Sequence, residues 1–165
     1  DMEGIREQLV KKPETQSDKV KTYAVLFGAL LLAILVVMIV NMVFGATMIL
    51  IALLVAGGIL YGGYWLTGEF NIEYEYCYSG GELTVDKIIN QKRRKNMCQV
   101  NLRSAERFMK NPSALPDVTV ISACGDEFEK YAVEYTDPKY GRSVLVFTPD
   151  EKMLEMIKPY LPRLS

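Results

Sequence analysis

Between Lys21 and Glu69 the chain carries no charged side chain, and nothing else in the sequence restricts the fold so strongly. A helix needs about 20 predominantly apolar residues to cross a bilayer. This run is long enough for two crossings joined by a tight turn. A soluble helix of that length would show a polar face, and none is visible. Asn41, Gly45 and Thr47 are the turn-compatible residues in its middle, so the expected spans are 23–44 and 46–66. So short a turn leaves no room for a domain between the spans, and both chain ends then lie on one side of the membrane. Arg6, Lys11, Lys12, Lys19 and Lys21 precede the first span, whereas the turn has no basic residue. Positive residues favour the cytoplasmic side. The expectation is a multi-pass plasma-membrane protein with both termini cytoplasmic. The N-terminal segment does not read as a signal peptide, because its apolar stretch is too long and no small-residue cleavage site precedes a mature domain.

Residues 1–22 form the expected cytoplasmic tail. Within it, MEGIREQLVKK places Met2, Ile5 and Leu9 on one helical face. That spacing predicts a short amphipathic helix ended near Pro13. It lies either in the membrane interface or packed on the C-terminal domain. Ser17 or Asp18 is the expected cap of the first span.

After the second span the period changes from helical to alternating. Phe70, Ile72, Tyr74, Tyr76 and Tyr78 alternate with Asn71, Glu73, Glu75 and Cys77, the pattern of a half-buried strand. Ser79-Gly80-Gly81 is a hairpin turn. Further strands are expected at 82–90, 95–102, 118–124, 129–135 and 142–147, with a polar turn at 91–94 and a helical turn near 105–109. Thr148 and Pro149 suit the cap and first position of a final helix, expected over 149–161. The predicted class is an α+β membrane protein. An N-terminal amphipathic helix and a transmembrane helical hairpin precede a small antiparallel β domain, residues 69–165, that ends in a C-terminal capping helix.

This order resembles bacterial membrane proteins with a pleckstrin-homology-like domain, including the YcxB-like group. The matching parts are EYEYCYSGGELTV, KNMCQVNL and RSVLVFTPDEKMLEMIKPYL. The chain is also similar to a family of small uncharacterised two-span proteins of Gram-positive anaerobes, with a "REQLVKK"-type start and a strand like NIEYEY. The resemblance implies a scaffold or ligand-docking module. Six strands are evident where a full pleckstrin-homology barrel has seven, and the missing or irregular strand is expected within 104–117.

The composition carries no obvious chemistry. There is no histidine, and Cys77, Cys98 and Cys124 lack the close spacing of a zinc site. Cys98 and its two counterparts are expected as free thiols, partly buried. No nucleophile–base pair and no clustered acid pair can be assembled, so no catalytic, cofactor or metal residues are assigned and the expectation is a non-enzymatic protein. The most prominent polar feature is Lys92-Arg93-Arg94-Lys95, with Lys87 nearby. It reads as a solvated turn, a contact for anionic lipid, or a contact for a protein partner. Basic and acidic residues nearly balance in the C-terminal part, which argues against nucleic acid. Tyr74, Tyr76 and Tyr78 are expected in the core.

The second span holds AGGILYGGYWLTG. Tyr61, Tyr64 and Trp65 suit an interfacial aromatic belt. Gly58 and Gly62 form a small-xxx-small pair that lets helices approach closely. Folding the run about Gly45 sets Gly62 level with Gly28, and Gly57 level with Ala33. The expected seam is therefore Gly28 and Ala33 against the glycines, with Gly57 and Gly63 partly off that face and open to a partner helix. Two functions follow as expectations. One is a membrane adaptor or accessory subunit whose spans and cytoplasmic domain bind another membrane protein or a second copy. The other is an anionic-lipid sensor acting through 92–95.

Overall fold

The computed structural model describes residues 4–113 and 117–164, and the chain divides into two units, one from Glu14 to Asn71 and one built from the segments on either side of it. The flanking unit is a β domain. Its strands are β1 (Ile5–Lys11), β2 (Ile72–Ser79), β3 (Glu82–Ile89), β4 (Arg93–Asn101), β5 (Arg107–Lys110), β6 (Thr119–Ala123), β7 (Tyr131–Asp137) and β8 (Gly141–Phe147). One sheet has the order β1-β2-β3-β4 and the other β5-β7-β8-β6.

The segment predicted as an amphipathic helix is therefore a strand. Ile5 and Leu9, the supposed apolar face, are 46% and 58% exposed, while Gln8 and Val10 point inward. Met2 lies outside the described residues. A helical stripe this short is weak, and β1 instead gains a full antiparallel ladder from Ile5 opposite Ser79 to Lys11 opposite Glu73. A chain cut at residue 69 would lack this strand.

The region 104–117, where a strand was expected to be missing or irregular, holds the short strand β5 in place of the predicted helical turn. This strand follows a 3-10 turn at Leu102–Ser104. The domain is not wholly antiparallel, because β6 crosses to the far edge of its sheet and pairs parallel to β8. Gly80 and Gly81 turn β2 into β3 with φ of 59° and 88°, the left-handed values that a two-residue hairpin of type I′ requires. The β3–β4 turn uses the same geometry without glycine, at Asn90 and Gln91. It is tighter than predicted, so β4 begins at Arg93.

The two sheets and a C-terminal helix, α3 (Glu151–Ile157), enclose one core. Tyr74, Tyr76 and Tyr78 are buried in it, as alternation predicted, and Met153 and Ile157 enter it from α3. Tyr76 meets Phe147 edge to face, with ring centroids 5.7 Å apart. The helix is shorter than expected and its cap is Asp150, whose Oδ1 accepts from Met153 N–H at 2.7 Å. Thr148, the predicted cap, is fully buried instead. Its N–H donates to Tyr76 Oη at 3.1 Å, and its hydroxyl accepts from Gly125 N–H at 2.9 Å. Tyr76 Oη in turn donates to the Ala123 carbonyl. Gln8 closes the cluster, donating to Thr148 O at 3.1 Å and accepting from Asp150 N–H at 2.8 Å. Gly125 has little room for a side chain, since a Cβ there would stand 3.1 Å from Val10 Cβ and 3.3 Å from Lys11 O.

The other unit is helical from Gln16 to Gly68, interrupted by a 3-10 turn at Gly45–Met48, and is long and apolar enough to cross a membrane. Helix α1 covers Gln16–Phe44, and we label Ile49–Gly68 α2, with the C-terminal helix remaining α3. Thr15 caps α1, rather than Ser17 or Asp18, and Asp18 completes a reciprocal box with it. Gly45 leaves the helix at φ 69°. The two segments pack through Ala33, Ala52, Ala56 and Gly63, which are the buried residues of the pair. A Cβ on Gly63 would lie only 2.7 Å from Ala29 Cβ. Around Gly28, Gly57, Gly58 and Gly62 an added Cβ would meet nothing within 4 Å. The predicted seam is thus corrected by one position on α2. Adjacent residues sit about 100° apart around a helix, so Gly63 faces Ala29 while Gly62 turns aside.

Replacing Tyr76 by Phe would leave the Ala123 carbonyl and the Thr148 N–H unpaired in the core, so Y76F is expected to lose about 1–3 kcal/mol of unfolding free energy at neutral pH. Burial pushes the Tyr76 hydroxyl up to about 12, although the Thr148 hydrogen bonds oppose this. In the unfolded chain the same group titrates near 10. Its stabilising effect is complete below pH 10 and is lost as pH rises toward 12, because the native state then keeps a proton that the unfolded chain has released. Denaturant unfolding followed by near-UV circular dichroism should show wild-type stability falling across that window, and a shallower fall for Y76F.

Candidate functional site

Three features meet at one end of the first sheet. β1 ends at Lys11 opposite Glu73, β2 begins at Ile72 opposite Ile89, and β3 turns into β4 just beyond. Lys12 N–H donates to the Ile72 carbonyl at 3.0 Å. The chain therefore leaves for the helical unit, and returns from it, at the end that carries Lys92 and Arg93.

The predicted basic cluster is split by strand geometry. Successive side chains on a strand point to opposite faces. Only Lys92 belongs to the turn, donating its N–H to the Ile89 carbonyl at 3.1 Å. Arg94 lies on the outer face, with its guanidinium 2.6 Å from Glu75 and 3.6 Å from Asp86. Asn96 also donates to Asp86, at 2.9 Å. Lys95 lies opposite Lys87 across the ladder, and both line a cavity of about 420 Å³ together with Thr119, Ser122 and Tyr140. A β-bulge opposite Val85 and Asp86 separates this end of β4 from the core strand that follows.

A second cavity of about 580 Å³ adjoins the first and shares Lys95 and Tyr140 with it. Cys98, Tyr135 and Asp137 stand on its wall. Burial raises Asp137, but N–H donors from Lys139 at 2.7 Å and Tyr140 at 3.1 Å outweigh it and hold the carboxyl below its usual range. Tyr135 Oη donates to the same carboxylate at 3.1 Å, and burial above all pushes that hydroxyl up. Burial likewise raises the Cys98 thiol to about 12. Burial thus disfavours the thiolate, the nucleophilic form of cysteine. Cys77, Cys98 and Cys124 are free, with Cys98 buried. Among the described residues, no group of three or more His, Cys, Asp or Glu side chains is placed to hold a metal ion.

Sequence reasoning missed Thr119, Ser122 and Tyr140. They join Lys87 and Lys95 only because β6 takes the far edge of the second sheet, a long-range outcome with no local signal. The Asp137 loop was legible as a turn in DPKYG. On α2, Tyr61, Tyr64 and Trp65 are exposed.

Two sheets closed by a C-terminal helix, with an apolar helical segment inserted between the first and second strands, make up the chain. The family model described as Bacterial PH-like domain (DUF6106) matches residues 2–164, and the chain belongs to that family. The match includes the helical segment as well as both parts of the β domain. No curated protein and no solved structure matched the chain.

At pH 8 a maleimide is expected to label Cys77 and Cys124 well before Cys98, which should react only after denaturation. Peptide mass spectrometry over a time course would read this, and rapid labelling of Cys98 in the folded protein would contradict its burial.

Proposed function

We propose that this protein is a non-enzymatic membrane adaptor or accessory subunit, in which α1 and α2 are two membrane spans with both chain ends in the cytoplasm. The observation that carries this reading is the open surface of α2. Gly57, Gly58 and Gly62 offer backbone that another helix can approach, and they are flanked by exposed Leu54, Tyr61 and Trp65. The basic residues before α1, and their absence from the Gly45–Met48 turn, support the cytoplasmic placement of both ends. The partner is another membrane protein or a second copy of this chain.

A second reading has its own support. The end of the first sheet that bears Lys92 and Arg93 is the one from which the chain runs to the helices, which favours contact of these two residues with anionic headgroups. Arg94 contributes less, because Glu75 and Asp86 already neutralise it.

Gly58→Ile and Gly62→Ile are expected to abolish association in gentle detergent while the melting of the monomer stays unchanged. Gly63→Leu, which collides with Ala29, should destabilise the monomer itself. Purification of the wild type from native membranes as a lone, monomeric polypeptide would overturn the adaptor reading. For the second reading, residues 1–13 joined to 72–165 by a short Gly-Ser linker should bind phosphatidylglycerol vesicles. K92Q and R93Q should each weaken binding about fivefold, since a basic residue near such a surface contributes about 1 kcal/mol. Unchanged binding would remove the basis of that reading.

A further inference from the structure

We propose that the cavity between β3, β4 and β6 is a binding site for a phosphate-bearing ligand, clamped by Lys87 and Lys95. The two lysines are directly opposed across the β3–β4 ladder. Like charges in that position destabilise a sheet, so an anion between the two lysines would be favourable. No acidic residue lines the cavity, and no ion pair to either lysine exists among the described residues. Asp86, one residue from Lys87 in sequence, is engaged on the opposite face of the sheet by Arg94 and Asn96.

The rest of the lining suits an oxyanion. Thr119 and Ser122 line it from the free edge of β6, with side chains on opposite faces of that strand, and Tyr140 brings a phenol from the β7–β8 turn. Two ammonium groups beside the phenol and one hydroxyl of β6 match the charge and the acceptor oxygens of a phosphate group. Val120 and Met97 add an apolar wall, which suits a phosphate carried on an organic group. At about 420 Å³ the space falls within the range of small-ligand pockets. The site does not depend on Lys92 and Arg93 docking to a bilayer, since its two lysines face the cavity and not the turn.

The test uses the full chain in neutral phosphatidylcholine nanodiscs, titrated with inorganic phosphate and with glycerol 3-phosphate by calorimetry and thermal melting. Both probes should bind and raise the melting temperature. K87Q and K95Q should each weaken binding about tenfold or more, as expected for loss of a charge-assisted contact, whereas K92Q should have no effect. K95E replaces the opposed lysines by a Lys–Glu pair. It should abolish binding while melting at or above the wild-type temperature, which separates ligand loss from misfolding. A parallel titration in nanodiscs containing phosphatidylglycerol identifies the source. Competition by the lipid assigns the cavity to a headgroup, and undiminished glycerol 3-phosphate binding assigns it to a soluble ligand; both outcomes uphold the site. Absence of phosphate binding in neutral discs, or binding indifferent to K87Q and K95Q, overturns it. Loss of vesicle binding in K92Q and R93Q with phosphate binding intact would show that the surface and the cavity act separately.

Discussion

The β domain depends on a pairing made across the whole helical segment. β1 is complete before the chain enters Glu14–Asn71, and its partner β2 begins only after the chain leaves it. The entropy of closing a loop grows only slowly with its length, so such an insertion is tolerable if the closing contacts are good. They are concentrated at Gln8 and Thr148. Gln8 satisfies a carbonyl and an N–H that β8 and α3 would otherwise bury unpaired. Arg6 binds Asp150 at 2.7 Å and so joins β1 to the residue that caps α3. Burial raises Asp150, and the Arg6 guanidinium and the Met153 N–H together hold it below its usual range. Tyr76, reaching from β2, ties the same cluster to the end of β6. First strand, last helix and both sheets thus share one set of hydrogen bonds.

That arrangement explains which parts of the fold were readable. Apolar composition reveals a long helical run, and alternation reveals strands whose two faces differ sharply, as β2 does with its tyrosines. Gly80-Gly81 marks a hairpin because only left-handed backbone closes it. The β1 segment was misread because its inward residue Gln8 is polar. Its burial is made favourable by partners about 140 positions away, which no local pattern records. Thr148 was misread for a related reason. Thr-Pro-Asp-Glu offers two good caps, and the tertiary cluster takes the threonine and leaves the aspartate. On the helices, small residues lie on more than one face of α2. Alanines at 52 and 56 with Gly63 pack against α1, and composition alone favours the more numerous glycines.

The basic run shows how secondary structure redistributes charge that looks contiguous in sequence. Four consecutive cations suggest one patch. Because β4 starts at Arg93, the run divides into a turn residue, the first strand residue Arg93 opposite Ile89, an outward arginine neutralised by two carboxylates, and a lysine facing another lysine. A single electrostatic role for 92–95 is therefore untenable, and the surface and the cavity need separate explanations.

Edge protection offers a competing explanation for part of this charge. β4 is the outer strand of its sheet, and natural sheets guard exposed edges with lysine, arginine and bulges. Arg93, Arg94, Lys95 and the bulge beside Asp86 fit that role without any ligand. Lys87 does not fit it. It lies on β3, hydrogen-bonded to strands on both sides, where it guards no edge. It occupies the face that continues from Val85 toward the core, where an apolar residue would serve the fold better. Edge protection also gives no reason to set Lys95 opposite another lysine rather than a glutamate. The interior lysine therefore carries the argument for an anionic ligand, and the edge lysine becomes its second jaw.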